Sequence, residues 1–251
     1  MAFIPRIFLP ADAIRDGITF VGGADANHLK NVLRMSVGDK VTVCDGTNTV
    51  YPAVITSFDD EGVTLSLGEG STSKGEFAFP VAVYQCLPKG EKTDLVIQKS
   101  VELGATEIVL VMSERCVARP DEKSMEKKLS RFRKIAESAA AQCGRGIVPE
   151  VRGLLSYEDA VREIALAEIP LLCYEGSGVK PLRELLPATP RSVAFLIGPE
   201  GGISEKEVAF AKAQGLRLCG LGSRILRTET AALFVLAAIN VLTDNSEKDG
   251  V

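Results

Sequence analysis

The chain has 251 residues, of which 46% are apolar, and a formal net charge of −4. That length builds one large or two ordinary domains around a sizeable core, and the acidic balance excludes a protein that coats nucleic acid by charge alone. The longest strongly apolar run, Ala231–Ile239, is too short to span a bilayer. Met1–Pro10 lacks the apolar stretch of a signal peptide. Cys44, Cys86, Cys116, Cys143, Cys173 and Cys219 are scattered without metal-knuckle or C-x-x-C spacing, so a cytoplasmic protein with reduced thiols, no metal and no membrane contact is expected.

The first seventy residues read as short strands, rich in β-branched and aromatic residues: Phe3–Leu9, Lys40–Cys44, Val50–Phe58 and Val63–Leu67. Turn signals at Gly38-Asp39, Asp45-Gly46 and Asp59–Gly62 separate them. One helical stretch, Ala24–Met35, carries Leu29, Val32 and Leu33 on one face. A small β-barrel with one helix suits this spacing. Gly68–Gly75 is polar, glycine-rich and aperiodic, and reads as a linker.

After it, strand-like and helix-like runs alternate. Strands are expected at Val81–Leu87, Ile108–Met112, Pro170–Tyr174, Val193–Ile197 and Leu216–Leu221. Helices are expected at Glu91–Leu103, Lys123–Cys143, Ser156–Ala165, Ser204–Gln214 and Thr230–Leu242. Such alternation implies an α/β domain with a parallel sheet covered on both faces. Ser156 with Asp159 and Ser204 with Glu207 have capping-box spacing, and Gly104 and Gly215 stand where helices end. The last helix is apolar all round, which predicts burial on every side, either within the core or in a core shared with a second subunit.

Two glycine-rich loops follow two of these strands. Leu196-Ile-Gly-Pro-Glu-Gly-Gly-Ile-Ser204 leaves an apolar strand and enters a capped helix, at the sheet edge where ligands bind. Gly198, Gly201 and Gly202 let backbone groups approach a ligand with no Cβ in the way; an ordinary βα turn is the plainer alternative. Gly220-Leu-Gly-Ser-Arg-Ile-Leu-Arg-Thr-Glu-Thr-Ala231 places Arg224, Arg227 and Glu229 before an apolar helix. Ile225 stands where a dinucleotide fingerprint needs its third glycine, and a P-loop is absent. Arg224 and Arg227 either meet a ligand or neutralise Glu229. His28 is the only histidine, which leaves no partner at metal spacing and no hydrolytic triad. From Arg115 to Arg145 basic residues outnumber acidic ones, giving either an RNA-facing patch or a solvated helix face.

Together the two loops resemble the cofactor motifs of the SPOUT methyltransferases, and in particular the bacterial ribosomal RNA small-subunit methyltransferase E family. Pro5–Leu9 and His28–Arg34 resemble its PUA-like RNA-binding domain. Gln98–Ala105, Ser113–Arg115 and Glu137–Arg145 resemble its middle, and the similarity covers nearly the whole chain. The resemblance implies a PUA-like β-barrel over residues 1–70 and, over residues 76–245, a trefoil-knotted parallel-sheet domain that binds S-adenosylmethionine. It implies a homodimer acting on small-subunit ribosomal RNA or the assembled small subunit, with methylation at N3 of a uridine. Cofactor contacts are implied at Leu172, Tyr174, Glu175, Leu196, Ile197, Gly198, Pro199, Gly201, Gly202, Leu221, Gly222, Ile225, Leu226, Arg227, Thr230 and Ala231. RNA contacts are expected at Arg6, His28, Arg34, Arg115, Arg131, Arg133 and Arg145. Arg227 is expected to stabilise charge on the uracil, and Glu200 to act either as a base or as a loop anchor. A catalytically silent RNA-binding protein of the same fold, or an enzyme acting on another RNA, are the alternatives.

Overall fold

The structure is a computed structural model that describes residues 4–14 and 17–243. Met1–Glu76 with Ala140–Val148 forms one compact unit, and Phe77–Ala139 with Pro149–Val251 a second. The first unit is a six-stranded sheet: β1 (Arg6–Phe8), β2 (Ile18–Gly22), β3 (Lys40–Cys44), β4 (Thr49–Phe58), β5 (Gly62–Leu67) and β6 (Ser71–Thr72). Five strands run in the order β1-β3-β4-β5-β2, and β6 pairs with β4. Alternation sets its core, with Val41 and Val43 of β3, Ile55 of β4 and Leu65 of β5 pointing inward onto Leu29.

One short helix, α1 (Gly23–Asn27), continues into a π turn over His28–Val32. The expected stripe assumed 3.6 residues per turn. The wider π turn rotates Val32 out, so that it is 61% exposed while Leu29 is buried. The expected linker is not free either: Gly68 N donates to Pro52 O at 2.7 Å, and β6 is pinned to Thr49 and Val50. Strand β2 went unrecognised because its inward residues are Thr19 and Val21, while Ile18 and Phe20 face outward. Phe3, at the start of the first expected strand, lies outside the described residues.

The second unit holds seven parallel strands: β7 (Val81–Cys86), β8 (Glu107–Met112), β9 (Glu150–Ser156), β10 (Ile169–Cys173), β11 (Lys180–Pro181), β12 (Val193–Ile197) and β13 (Arg217–Gly220). They lie in the order β11-β13-β10-β12-β7-β8-β9. All five residues of β12 are buried, as a strand covered on both faces requires. The unit's helices are α2 (Lys92–Glu102), α3 (Glu122–Cys143, whose last turn counts with the first unit), α4 (Tyr157–Ile164), α5 (Leu182–Leu185), α6 (Glu205–Ala213) and α7 (Thr228–Leu242). Ser204 and Glu207 form a full capping box on α6. Glu207 also accepts from Glu114 N at 2.8 Å, which ties the segment after β8 to the start of that helix.

Helix α7 buries Thr228, Ala231, Ala232, Val235, Leu236 and Ile239, spaced three and four apart so that they share one face. Each large aliphatic side chain there contributes roughly 1.5–3 kcal/mol of transfer free energy. The opposite face is uncovered in the single chain: Phe234 is 42% and Val241 84% exposed.

Arg145 is a second correction. It was expected on an RNA-binding surface, yet its side chain is 2% exposed and pairs with Glu76, itself 8% exposed, within the first unit. Glu76 Oε1 also accepts from Gly146 N and Ile147 N, at 3.1 and 3.2 Å. The arginine therefore closes the turn after α3 and does not face a phosphate. Removing one partner of such a pair leaves a buried charge uncompensated. Arg145→Ala is expected to lower the unfolding free energy by about 3–5 kcal/mol, measured by denaturant titration. A loss near zero would mean that the pair is solvated and does not hold the turn.

Candidate functional site

Three loops at the carboxyl ends of neighbouring strands enclose one cavity of about 590 Å³. They follow β10 (Tyr174–Val179), β12 (Gly198–Ile203) and β13 (Leu221–Arg227). The placement is the ligand-binding edge of a parallel sheet, and the volume suits a nucleoside-sized ligand. Three glycines in these loops hold left-handed backbone: Gly178 at φ +80°, Gly202 at +70° and Gly222 at +103°. A Cβ at Gly176 would fall 2.2 Å from the Tyr174 side-chain ring, which would have to move. The Gly202 N–H turns back onto Pro199 O at 2.9 Å, closing the tight turn that presents Glu200.

The floor of the cavity is tied to the core through one hydroxyl. Thr228 Oγ1 donates to Gly198 O at 2.7 Å and accepts from Gln85 Nε2 at 2.8 Å. Gln85 is fully buried on β7. Its Nε2 also donates to Cys86 O at 2.9 Å, while its Oε1 has no partner. The two glycine loops, one ending at α7 and one starting at β12, thus share a single anchor in the sheet.

Charge is arranged unevenly around the rim. Glu200 accepts from Lys92 Nζ at 2.8 Å and from Lys89 N at 3.2 Å. Glu229 pairs with the same lysine, its Oε2 lying 3.4 Å from Nζ. Burial alone would push the Glu200 carboxyl up, but the Lys92 ammonium and the surrounding N–H donors together hold it below the ordinary 4.5. A carboxylate so held is a weak proton acceptor. Because Glu229 is engaged by Lys92, it does not neutralise the arginines. Arg224 and Arg227 both line the cavity and are exposed. Arg115 also lines it and donates to Gly201 O at 3.1 Å.

Of the expected cofactor contacts, Tyr174, Glu175, Ile197, Gly198, Pro199, Gly201, Gly202, Leu221, Gly222, Ile225, Leu226, Arg227 and Ala231 line the cavity, as does Glu200. Leu172 and Leu196 do not: both are fully buried inside their strands. Thr230 is exposed on α7 and also lies off the cavity. Lys92, Gly176, Val179 and Thr228 line it as well. The glycines after β10 offered a local signal for a third loop; nothing around Lys92 in the sequence pointed to it.

The expected RNA-contacting residues are divided between the two units. In the second unit, Arg131 is 55% exposed and paired with Asp94, and Arg133 Nε donates to Val151 O at 3.3 Å. In the first unit, His28 and Arg34 are exposed, and Arg6 donates to Arg145 O at 3.3 Å. Among the described residues no group of three His, Cys, Asp or Glu side chains is placed to hold a metal ion, and no helix is long and apolar enough to cross a membrane.

The RNA methyltransferase domain family matches residues 75–240, and the RNA methyltransferase PUA domain family matches residues 21–68. With a looped cavity at the carboxyl edge of a parallel sheet, these matches place the chain among the RNA methyltransferases. The chain is 33% identical to the ribosomal RNA small subunit methyltransferase E of Bacillus subtilis over 95% of its length and 96% of the relative's. It is 31% identical to the Mycobacterium bovis protein of that name, over 90% of this chain and 87% of the relative. The crystal structure of the Neisseria gonorrhoeae ribosomal RNA small subunit methyltransferase E bound to S-adenosylmethionine superposes with a TM-score of 0.86. It is 31% identical and covers 96% of this chain and 98% of that one. A Legionella pneumophila methyltransferase, also solved with S-adenosylmethionine, superposes with a TM-score of 0.87 at 31% identity, over 96% and 98% of the two chains. The chain belongs to the ribosomal RNA small subunit methyltransferase E family.

Two outcomes test this site. Thr228→Val keeps the shape of the side chain but takes the hydroxyl donor from the Gly198 carbonyl and one of two acceptors from the buried Gln85 amide, which keeps only Cys86 O. It is expected to lower the unfolding free energy by about 1–3 kcal/mol; a neutral result would remove the hydroxyl from the role of anchor. Glu200 contributes stability in the pH range where it is charged in the folded state. Its folded pKa is depressed below 4.5, so the contribution is complete above that value and is lost as pH falls through the lower, folded one. The melting-temperature gap between wild type and Glu200→Gln should hold from neutral pH down to about 5 and close in stronger acid. A gap that widens on acidification would reverse the assignment.

Proposed function

We propose that this protein transfers a methyl group from S-adenosylmethionine to N3 of a uridine in small-subunit ribosomal RNA. The observation that carries the reading is the three-loop cavity: its size suits the cofactor, its glycines leave backbone N–H and C=O groups open to an adenine and ribose, and two arginines with no ion-pair partner among the described residues stand at its rim. S-adenosylmethionine supplies the methyl group as an electron-poor sulfonium substituent. The chain's own part is to place the acceptor nitrogen in line with it and to keep water out.

Uridine N3–H must lose its proton before or during attack, and the negative charge spreads onto the two flanking carbonyl oxygens. Arg227 opens α7 with no side-chain hydrogen bond or ion pair among the described residues, and it is free to meet that charge. Glu200 serves as an anchor for its loop, because its oxygens already face an ammonium and a backbone N–H. Convergence of the loops after β10, β12 and β13 on one cavity supports the trefoil knot. The exposed apolar face of α7, with Phe234 and Val241, supports a homodimer, since a second copy would cover it. The acceptor is ribosomal RNA or the assembled small subunit in the cytoplasm.

The test uses small subunits from cells lacking this gene, incubated with the purified protein and S-adenosylmethionine and then analysed as nucleosides by mass spectrometry. A rise in N3-methyluridine is expected. No new methylated nucleoside would favour a silent RNA-binding protein, and a different one would reassign the acceptor. Arg227→Ala should lower kcat by roughly 10²–10³-fold with RNA affinity changed far less, as expected for a group that acts on charge developing in the transition state. Equal losses in affinity and turnover would make Arg227 a binding contact only.

A further inference from the structure

Two carboxylates from different loops meet one ammonium at the wall of the cavity. Lys92 Nζ lies 2.8 Å from Glu200 Oε1 and 3.4 Å from Glu229 Oε2. Glu200 sits in the loop after β12, Glu229 in the first turn of α7 at the end of the loop after β13, and Lys92 at the start of α2. Lys92 and Glu200 are 108 residues apart in the chain, so the contact exists only in the folded protein.

Helix stability does not account for this lysine. The first turn of a helix carries the positive end of its dipole, where a cation is unfavourable, and the N-cap residue Glu91 makes no side-chain cap. Glu229 is well placed in its own first turn for the opposite reason. The side chains of Lys92 and Glu200 are 32% and 34% exposed and that of Glu229 only 13%, so the second carboxylate is poorly hydrated. Without a cation between them the two acids would repel each other and open the gap between their loops. The Lys89 N–H holds Glu200 but carries no net charge to offset the repulsion, and it is not bonded to Glu229.

We propose that Lys92 is a positioning residue for the methyl-transfer site: its single ammonium draws Glu200 and Glu229 together, sets the spacing of the two loops that flank the cofactor, and keeps Glu229 away from Arg224 and Arg227. The inference rests on the function proposed above. It assigns Lys92 no contact with the reacting atoms.

The test compares wild type with Lys92→Met, Lys92→Arg and Lys92→Met/Glu200→Gln in the full-length protein. S-adenosylmethionine affinity is measured by calorimetry, KM and kcat with small subunits, and folding by melting temperature. Lys92→Met is expected to weaken cofactor affinity about two- to fivefold, the range for a partly screened ion pair, and to raise KM for the cofactor more than it lowers kcat. Lys92→Arg should restore most of the affinity because it restores the charge. The double variant should recover part of it because one of the repelling acids is gone. Native affinity in Lys92→Met overturns the proposal, as does an equal loss in Lys92→Met and Lys92→Arg. If Lys92→Met does not fold, Glu229→Gln decides, since weaker cofactor binding at an unchanged melting temperature supports the clamp and native binding overturns it. Failure of wild type to bind S-adenosylmethionine would instead sink the functional reading itself.

Discussion

A single hydroxyl joins the sheet to the pocket. Gln85 is fully buried on β7, and an amide in that position must find partners inside the protein. It finds one in Thr228 and, through that side chain, reaches the Gly198 carbonyl. The consequence is geometric. The start of α7 and the end of β12 are held to the same point, so the loops attached to them cannot drift apart at their roots. The apolar face of α7 then turns into the core, because the buried Val235, Leu236 and Ile239 follow Thr228 at helical spacing. Farther out, where the loops meet solvent, the fixing contacts come from cationic side chains: Lys92 pairs with Glu200 and Glu229, and Arg115 donates to the Gly201 carbonyl. A rigid root and a charged rim suit a site that must admit a ligand and still keep its shape.

How much of this was legible in the sequence depends on how local the signal was. Val193–Ile197 is readable as a buried strand because five apolar residues stand in a row, and it occupies those residues in the structure. The start of α6 is readable because Ser204 and Glu207 carry the capping box between them. Strand β2 is not, since Thr19 and Val21 point inward while Ile18 and Phe20 point out, which inverts the usual pattern. Strand β9 hides for another reason. It is an edge strand with Gly153 inside it and a register shift against β8, so neither alternation nor a continuous apolar run marks it. The π turn at His28–Val32 cannot be anticipated by a 3.6-residue period, and the expected face failed at Val32.

The site divides in the same way. The glycine loops after β12 and β13 stood out because more glycine and proline were packed into them than a turn needs. Leu172 and Leu196 were drawn in with them, since neighbours in sequence alternate between the cavity end of a strand and its buried interior. Lys92 and Arg145 gave no signal at all. One sits at a helix start, where a lysine looks unremarkable, and the other closes a list of basic residues that looked like a surface. Both are defined by a partner far away in the chain: Glu200 for Lys92, and Glu76, 69 residues back, for Arg145. Composition cannot see such pairings, and a count of positive charge overstates the positive surface by each arginine that turns inward.

That correction bears on how an acidic protein could meet a polyanion. With a net charge of −4, the long-range field does little to gather RNA, and attraction must come from cations left without an internal partner. Arg145 and Arg131 are paired, and Lys92 is shared between two acids. Among the described residues Arg224 and Arg227 have no ion-pair partner, and they line the cavity. Their freedom follows from the position of Glu229: only two residues from Arg227 in sequence, it turns to Lys92 instead. Unneutralised positive charge is thereby concentrated at the mouth of the cavity. An RNA segment held only by a general positive field would slide. On the function proposed above, one that must bring its base to two arginines at the rim of the pocket is selected by position, and the modest charge of the rest of the protein helps, because it lets the wrong segments go.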